Sequence, residues 1–314
     1  MRILVTGGGG LVGHGMRAVQ HDDYFDCHDF TFVRSTDYDL LDAEQTSRMI
    51  RDNRPDCVIH LAANVGGLFK NMKQKVQMFE HNMQMNMNVV RSCHEHDVNQ
   101  FVGMLSTCIF PDKTSYPINE LMLHDGAPHT SNDAYAYAKR MLQVQCDAYR
   151  EQYNRCYKCI IPTNVYGEHD NFNLEDAHVI PALIHKCYLA RKVDQPFVVR
   201  GTGAPLRQFV YSRDLAAGVL SVLSSLSDIE ETNVIINGGD YEHSIGTVAR
   251  EIASRFDYAH RVEFDDSFSD GQHKKTADGT LFKTLAPRFN FTSLSEGLNR
   301  TVRWFEDNYP NCRV

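Results

Sequence analysis

The 314-residue chain has no apolar run of membrane-spanning length, no surplus of positive charge and no paired-cysteine framework. A spanning helix needs about 20 consecutive apolar residues, so no membrane insertion is expected. Lys and Arg total 32 against 40 Asp and Glu, giving a net charge of −8, so neither nucleic acid nor a membrane surface is an expected partner. Nine cysteines are scattered along the chain, and Cys156 and Cys159 form a C-x-x-C without a second pair, which argues against a zinc or other metal site. An odd count without framework spacing fits reduced thiols in the cytosol. The first apolar strand begins at residue 2, so no cleaved leader is expected. At 314 residues and 42% hydrophobic content, a large domain with a smaller lobe is predicted.

Met1 to Gly13 reads M-R-I-L-V-T-G-G-G-G-L-V-G, and the rest of the chain is organised around it. Ile3, Leu4 and Val5 form the continuous apolar run of a strand buried on both faces. Gly7, Gly10 and Gly13 follow at G-x-x-G-x-x-G spacing, and Leu11, Val12, Met16 and Val19 then take up helical spacing. A strand, a turn needing positive φ and a helix N-terminus together cradle a pyrophosphate. The last glycine lets that helix lie close to the sheet.

Further strands at 30–34, 57–61, 101–106 and 160–162 alternate with helices at 43–53, 74–96 and 134–153. This rhythm predicts an α/β fold with a doubly wound, Rossmann-like parallel sheet that binds ligands at its strand carboxyl ends. Beyond residue 167 the rhythm breaks into a polar loop (169–176), a helix (179–192) and a strand (197–200) before a G-T-G turn. A strand at 208–211 enters a helix capped by Ser212 and Asp214; a strand at 234–236 and a helix at 244–256 follow. Ser293-x-x-Glu296 reads as a capping box opening the last helix. The expected division is 1–166 plus roughly 206–243 for the dinucleotide domain, and 167–205 plus roughly 244–314 for a mixed α/β substrate lobe.

Two positions carry chemical information on their own. An acid at the end of the second strand would bond a ribose 2′-hydroxyl, whereas a basic residue accepts a 2′-phosphate. Here Arg34 and Ser35 stand with no acid before Asp37, which favours NADP(H) over NAD(H). Tyr135-x-x-x-Lys139 sets a phenol and an ammonium one helical turn apart, and a nearby cation lowers a tyrosine from its ordinary value of about 10. With Ser106 ending the fourth strand, these residues predict a hydroxyl pair around a carbonyl oxygen.

Taken together, T-G-G-G-G-L-V-G at 6–13, H-L-A-A at 60–63, Ser106 and Y-A-Y-A-K at 135–139 resemble the extended short-chain dehydrogenase/reductase family. Longer motifs are V-G-G-L-F-K-N (65–71), L-S-T-C-I-F-P-D-K (105–113), P-T-N-V-Y-G-E-H-D-N-F-N (162–173), H-V-I-P-A-L-I-H-K (178–186) and D-G-Q-H-K-K-T (270–276). They are similar to the branch that epimerises GDP-4-keto-6-deoxy-D-mannose at C3 and C5 and reduces it at C4. The resemblance implies Ser106, Tyr135 and Lys139 for reduction, with Cys108 as epimerisation base and His178 as acid. It implies cofactor contacts from Gly7, Gly10, Gly13, Arg34, Asp39, Leu40, Leu105, Lys139, Pro162, Asn164, Val165 and His178. For the nucleotide sugar it implies Asn164, Lys186, Arg207 and Asp270, and for assembly a homodimer whose four-helix bundle uses residues 74–96 and 134–153. Where the family usually has an aromatic before the G-T-G or G-S-G turn, this chain has Arg200, a side chain that can also stack on a base.

Three rivals are weighed. A 4,6-dehydratase would need an acidic pair after the strand-four threonine, and Thr107 is followed by Cys108 and Ile109. A UDP-sugar 4-epimerase with retained NAD would prefer an acid where Arg34 stands. A non-catalytic dinucleotide sensor would be expected to lose Ser106, Tyr135 or Lys139, and all three are present.

Overall fold

The apolar runs at 3–5, 57–60, 101–104 and 157–162 become strands buried on both faces, whereas the run at 30–33 forms an edge strand with Thr31 exposed. The computed structural model describes residues 1–22, 25–270 and 272–314. Gly271 of D-G-Q-H-K-K-T and the side chains of Leu68 and Phe69 in V-G-G-L-F-K-N lie outside the described residues. The strands are β1 (Arg2–Thr6), β2 (Asp29–Val33), β3 (Cys57–His60), β4 (Gln100–Met104), β5 (Cys156–Pro162), β6 (Asn164–Tyr166), β7 (Phe197–Arg200), β8 (Leu206–Arg207), β9 (Phe209–Tyr211), β10 (Asn233–Ile236), β11 (His243–Ser244) and β12 (Val262–Asp265). The helices are α1 (Leu11–Val19), α2 (Ala43–Asn53), α3 (Leu68–Lys73), α4 (Lys75–Glu95), α5 (Asp133–Tyr153), α6 (Val179–Lys192), α7 (Ser212–Leu223), α8 (Ile245–Arg255), α9 (Thr280–Leu285) and α10 (Leu294–Asn308).

The main sheet is parallel throughout, in the order β2-β1-β3-β4-β5-β10. Its order reverses between β1 and β3, so a crevice opens at their carboxyl ends. The pleat sends Ile3 and Val5 into one core with Ile59, Val102, Ile160 and residues of α1 and α7. Leu4 enters the opposite core with Val58, Phe101, Ile161 and residues of α2, α4 and α5. A third core gathers Phe172, Leu183, Phe197, Ile252 and Phe305 from α6, β7, α8, α10 and the loop after β6.

Several local expectations change. The small-residue run after β3 gives no sign of α3, which precedes α4 with a break at Gln74. The fourth strand stops at Met104, leaving Ser106 to open a single 3₁₀ turn, Thr107–Ile109. Helix α7 starts without a side-chain cap, because Asp214 instead accepts bonds from Thr292 N (2.5 Å) and Thr292 Oγ1 (2.8 Å). Only half of the expected capping box forms: Ser293 Oγ accepts from Glu296 N at 3.2 Å, while the Glu296 carboxylate pairs with Arg300.

Candidate active site

Glycine is required where β1 turns into α1. Gly7 has φ +68°, and a Cβ there would stand 2.8 Å from Ala62 N; one on Gly13 would stand 2.7 Å from Gly7 O. Helix α1 begins at Gly10 without a side-chain cap, so its first N–H groups and positive dipole end face the crevice. That donor set fits a dinucleotide pyrophosphate. The residues at the end of β2 fit the phosphorylated form: the Arg34 side chain is 62% exposed at the rim, and the nearby carboxylate of Asp37 is occupied by Arg34 N (2.8 Å) and Nε (3.5 Å). That bonding holds Asp37 below the usual carboxylate range.

Beneath the cradle runs a buried polar chain. Thr6 Oγ1 meets His60 Nδ1 at 2.7 Å, His60 Nε2 meets Asn86 Oδ1 at 3.2 Å, and Asn86 Nδ2 donates to Ala138 O at 3.3 Å. It joins β1, β3, α4 and α5 just before Lys139. Burial drives the His60 imidazole down to about 3, so it stays neutral.

Helix α5 grips the end of β4. Lys139 Nζ donates to Met104 O at 2.8 Å, and Arg140 Nε donates to Ile109 O at 2.6 Å, fixing the turn that carries Cys108. The Lys139 ammonium stands 5.9 Å from the Tyr135 ring centre. The expectation that the cation lowers the phenol is corrected here: Tyr135 is 8% exposed, and burial pushes it up. Desolvation is the largest cause of the phenol's shift, and burial also lowers the Lys139 ammonium to about 8. The phenol is therefore held in its proton-donating form. Ser106 Oγ accepts from Cys108 N at 3.4 Å. Burial pushes the Cys108 thiol up, while Lys275, Ser106 and Lys139 pull it back.

On the other wall His178 is the N-cap residue of α6, with no side-chain cap bond of its own. Its side chain opens to the cavity, yet the enclosing walls lower its imidazole, against the pull of Asp176. Gly67 N donates to Asp176 O at 2.6 Å, and a Cβ on Gly67 would strike Ala177 O at 2.6 Å. The V-G-G motif thus lets the His178 loop dock. In the G-T-G turn, Thr202 N and Oγ1 each donate to the Asp270 carboxylate at 2.7 Å. The Arg200 guanidinium lies 4.6 Å from the Phe268 ring centre. Arg207 donates to Leu206 O (2.7 Å) and Gln272 O (2.8 Å), and the Lys186 ammonium is lowered by burial and by Arg200.

One cavity of about 1690 Å³ is lined by every residue to which the resemblance assigns a catalytic, cofactor or substrate role, including Gly10, Asp39, Leu40, Leu105, Pro162, Asn164 and Val165. Asn164 spends its amide on Gln208 O at 2.9 Å. Three lining or neighbouring residues went unread. Lys275 lines the cavity together with Cys108, and Arg17 lies over the Phe32 ring at 4.1 Å in a side pocket with Arg34. Asp170 has one carboxylate oxygen without a partner and is pushed up by burial to about 7. The helical pattern could have flagged Arg17, four residues after Gly13; the other two sit in irregular chain and left no periodic signal.

Residues 3–238 match the NAD dependent epimerase/dehydratase family. The chain is 46% identical over 311 residues to a GDP-L-fucose synthase of Dictyostelium discoideum, covering 99% of this chain and 97% of that one. It is 42% identical to a probable GDP-L-fucose synthase of Drosophila melanogaster, with 99% of each chain covered. A crystal structure of a GDP-L-fucose synthetase from Naegleria fowleri bound to NADP matches with a TM-score of 0.91 at 42% identity, covering 100% of this chain and 95% of that one. The chain therefore belongs to the NAD dependent epimerase/dehydratase family and, within it, to the GDP-L-fucose synthases.

Proposed function

We propose that the chain converts GDP-4-keto-6-deoxy-D-mannose to GDP-L-fucose, epimerising C3 and C5 and then reducing C4 with NADPH. The observation that carries this reading is the lining of one cavity by Ser106, Cys108, Tyr135 and His178 beside the glycine cradle. In that sugar the C3 and C5 protons are both α to the C4 ketone, so loss of either puts negative charge on the C4 oxygen. Ser106 and Tyr135 donate to that oxygen, stabilising the enolate and afterwards the alkoxide. Cys108 takes a proton from one face of the ring and His178 returns one to the other. Tyr135, kept as the phenol by burial, gives its proton to the C4 oxygen in the reduction.

Bound NADPH supplies the hydride. Gly7, Gly10 and Gly13 would hold its pyrophosphate and Arg34 its 2′-phosphate, with Asp39 and Leu40 on the adenine side. Leu105, Lys139, Pro162, Asn164, Val165 and His178 line its path. Lys186 and Arg207 suit the sugar's diphosphate, with Asn164 and Asp270 completing its contacts. The cofactor domain is 1–166 plus roughly 206–243, and the substrate lobe is 167–205 plus roughly 244–314.

A homodimer through a four-helix bundle is supported by α4 and α5, which pack together and leave Val76, Phe79, Met87 and Val144 exposed. The nine cysteines are free, in keeping with a cytosolic enzyme, and no described helix is long and apolar enough to cross a membrane.

Turnover in deuterated water tests the reading. The product is expected to carry solvent deuterium at C3 and C5. Cys108→Ser should cut that incorporation by about 10²-fold or more, while slow NADPH consumption yields sugar of mostly unaltered ring stereochemistry. Unlabelled GDP-L-fucose formed at full rate would remove the enolate mechanism.

A further inference from the structure

A side pocket of about 480 Å³ adjoins the main cavity. The two spaces share Gly9 and Arg34, and no other described residue lines both. A Cβ on Gly9 would stand 3.3 Å from Arg34 Cγ and Cδ, so the arginine stem passes beside that glycine where the spaces meet. Ser35, Thr36, Asp39 and Leu40 line the main cavity here, and the NADPH reading puts the adenosine against them. A group branching sideways from the adenosine ribose would therefore enter the side pocket between Gly9 and Arg34.

The charges on the pocket wall single out Arg17. The Asp37 carboxylate takes Arg34 N at 2.8 Å and lies 3.5 Å from Arg34 Nε, so that pair carries little net charge. His14 is lowered by burial and adds none at neutral pH. Arg17 makes no ion pair among the described residues and supplies the pocket's uncompensated positive charge. It is also fixed in advance: its guanidinium lies 4.1 Å over the Phe32 ring, and its Nε donates to Gly8 O at 3.3 Å. Its two terminal nitrogens have no partner among the described residues. A planar cation held like this loses little side-chain freedom on meeting a phosphate, to which it offers paired N–H groups. Arg17 does not line the main cavity, which separates it from the pyrophosphate seat at Gly7, Gly10 and Gly13.

We propose that Arg17 is a specificity-determining contact for the 2′-phosphate of NADPH, which the side pocket receives between Arg17 and Arg34. A 2′-phosphate carries up to two negative charges, and Arg34 alone, already shared with Asp37, answers less than one of them. The second cation comes from the helix whose N-terminus faces the pyrophosphate, so α1 would hold both phosphate groups of the adenosine half.

Calorimetric titration of the full chain with adenosine 2′,5′-bisphosphate and with 5′-AMP reads the 2′-phosphate without sugar, nicotinamide or turnover. The unaltered chain is expected to bind the bisphosphate more tightly. Arg17→Met keeps an apolar stem on Phe32 and removes the charge, so it should weaken the bisphosphate by about tenfold and leave 5′-AMP unchanged. Arg17→Glu should lower the preference further, and Arg17→Met combined with Arg34→Ala should bind the two ligands alike. Equal weakening of both ligands in Arg17→Met overturns the proposal and assigns Arg17 to the shape of the glycine turn through Gly8 O. A preference kept in full by Arg17→Met also overturns it and leaves the 2′-phosphate to Arg34. An unaltered chain that binds the bisphosphate no better than 5′-AMP overturns the NADPH reading itself, and the proposal with it.

Discussion

The two walls of the cavity are held in different ways. On the sheet wall, Lys139 and Arg140 end on main-chain carbonyls, and Tyr135 is buried one turn earlier on α5. The polar chain Thr6–His60–Asn86 locks the strands to α5 underneath. On the lobe wall, His178 and Arg200 are exposed to the cavity, and they are placed by docking loops and a glycine turn. A misplacement of about 1 Å at reacting groups can cost about 10²-fold in rate, so a stiff wall suits the reduction proposed at C4. Recognition of a charged nucleotide tolerates side chains that settle onto it. Under the proposed reading the division separates the chemistry at C4 from nucleotide recognition, with His178 as the one proton-transfer group on the lobe wall.

Tyr135→Phe should break the sheet wall most severely. It removes the proton donor without opening a cavity, so kcat for C4 reduction should fall by about 10²–10⁴-fold. KM for the sugar nucleotide should stay within a few-fold of its starting value. Loss of NADPH absorbance at saturating and limiting substrate separates the two constants. A raised KM with kcat preserved would mean that the sheet wall binds rather than reacts, and the contrast would be lost.

The walls also differ in how far the sequence discloses them. The cradle was legible because chain packed this closely at a strand-to-helix turn leaves a glycine at each contact: Gly7 against Ala62, Gly13 against Gly7. The pairing of Tyr135 with Lys139 was legible because helical spacing is periodic. Its electrostatics were not, since the sign of the phenol's shift depends on burial, which no spacing encodes. His178 came only through resemblance, because a residue heading a helix after a long loop has no pattern of its own. Lys275 lies within D-G-Q-H-K-K-T but takes no role from that pattern, because its segment is placed by bonds to Ile118, Leu206 and Gln208, remote in the chain. Asp214 misled because a carboxylate two residues into a helix reads as a cap, and it serves Thr292 instead.

A second, smaller effect tests whether the sheet wall owes its stiffness to the buried chain under it. An unfolded imidazole titrates near about 6.5, whereas His60 in the fold sits near about 3. The native value lies below the unfolded one, so between those two pH values the unfolded chain holds the extra proton. Stability should therefore fall as pH drops through this window, by up to about 1.4 kcal/mol per pH unit from this group. His60→Gln cannot take up that proton, and its urea-derived unfolding free energy should fall less steeply with acid, from a lower plateau. An unchanged slope would move the acid sensitivity to the stacked pair His14 and His169, whose rings lie 3.8 Å apart and are both lowered by burial.

The smallest effect decides whether the contrast is between sheet and lobe or between buried and exposed. Arg34 belongs to the sheet by position, following β2, but its side chain is 62% exposed. If exposure governs, Arg34→Ala should behave like a lobe variant. NADPH affinity should weaken by about tenfold, the worth of one charge-assisted contact, with kcat and NADH affinity unchanged. Titration of both cofactors by protein fluorescence measures this. The Asp37 carboxylate gives the prediction its edge, because it engages Arg34 in the free protein and would repel a 2′-phosphate once Arg34 is gone. An unaltered NADPH to NADH preference would pass the phosphate contact to Arg17, the other cation of that side pocket, which is packed on Phe32 and therefore already fixed.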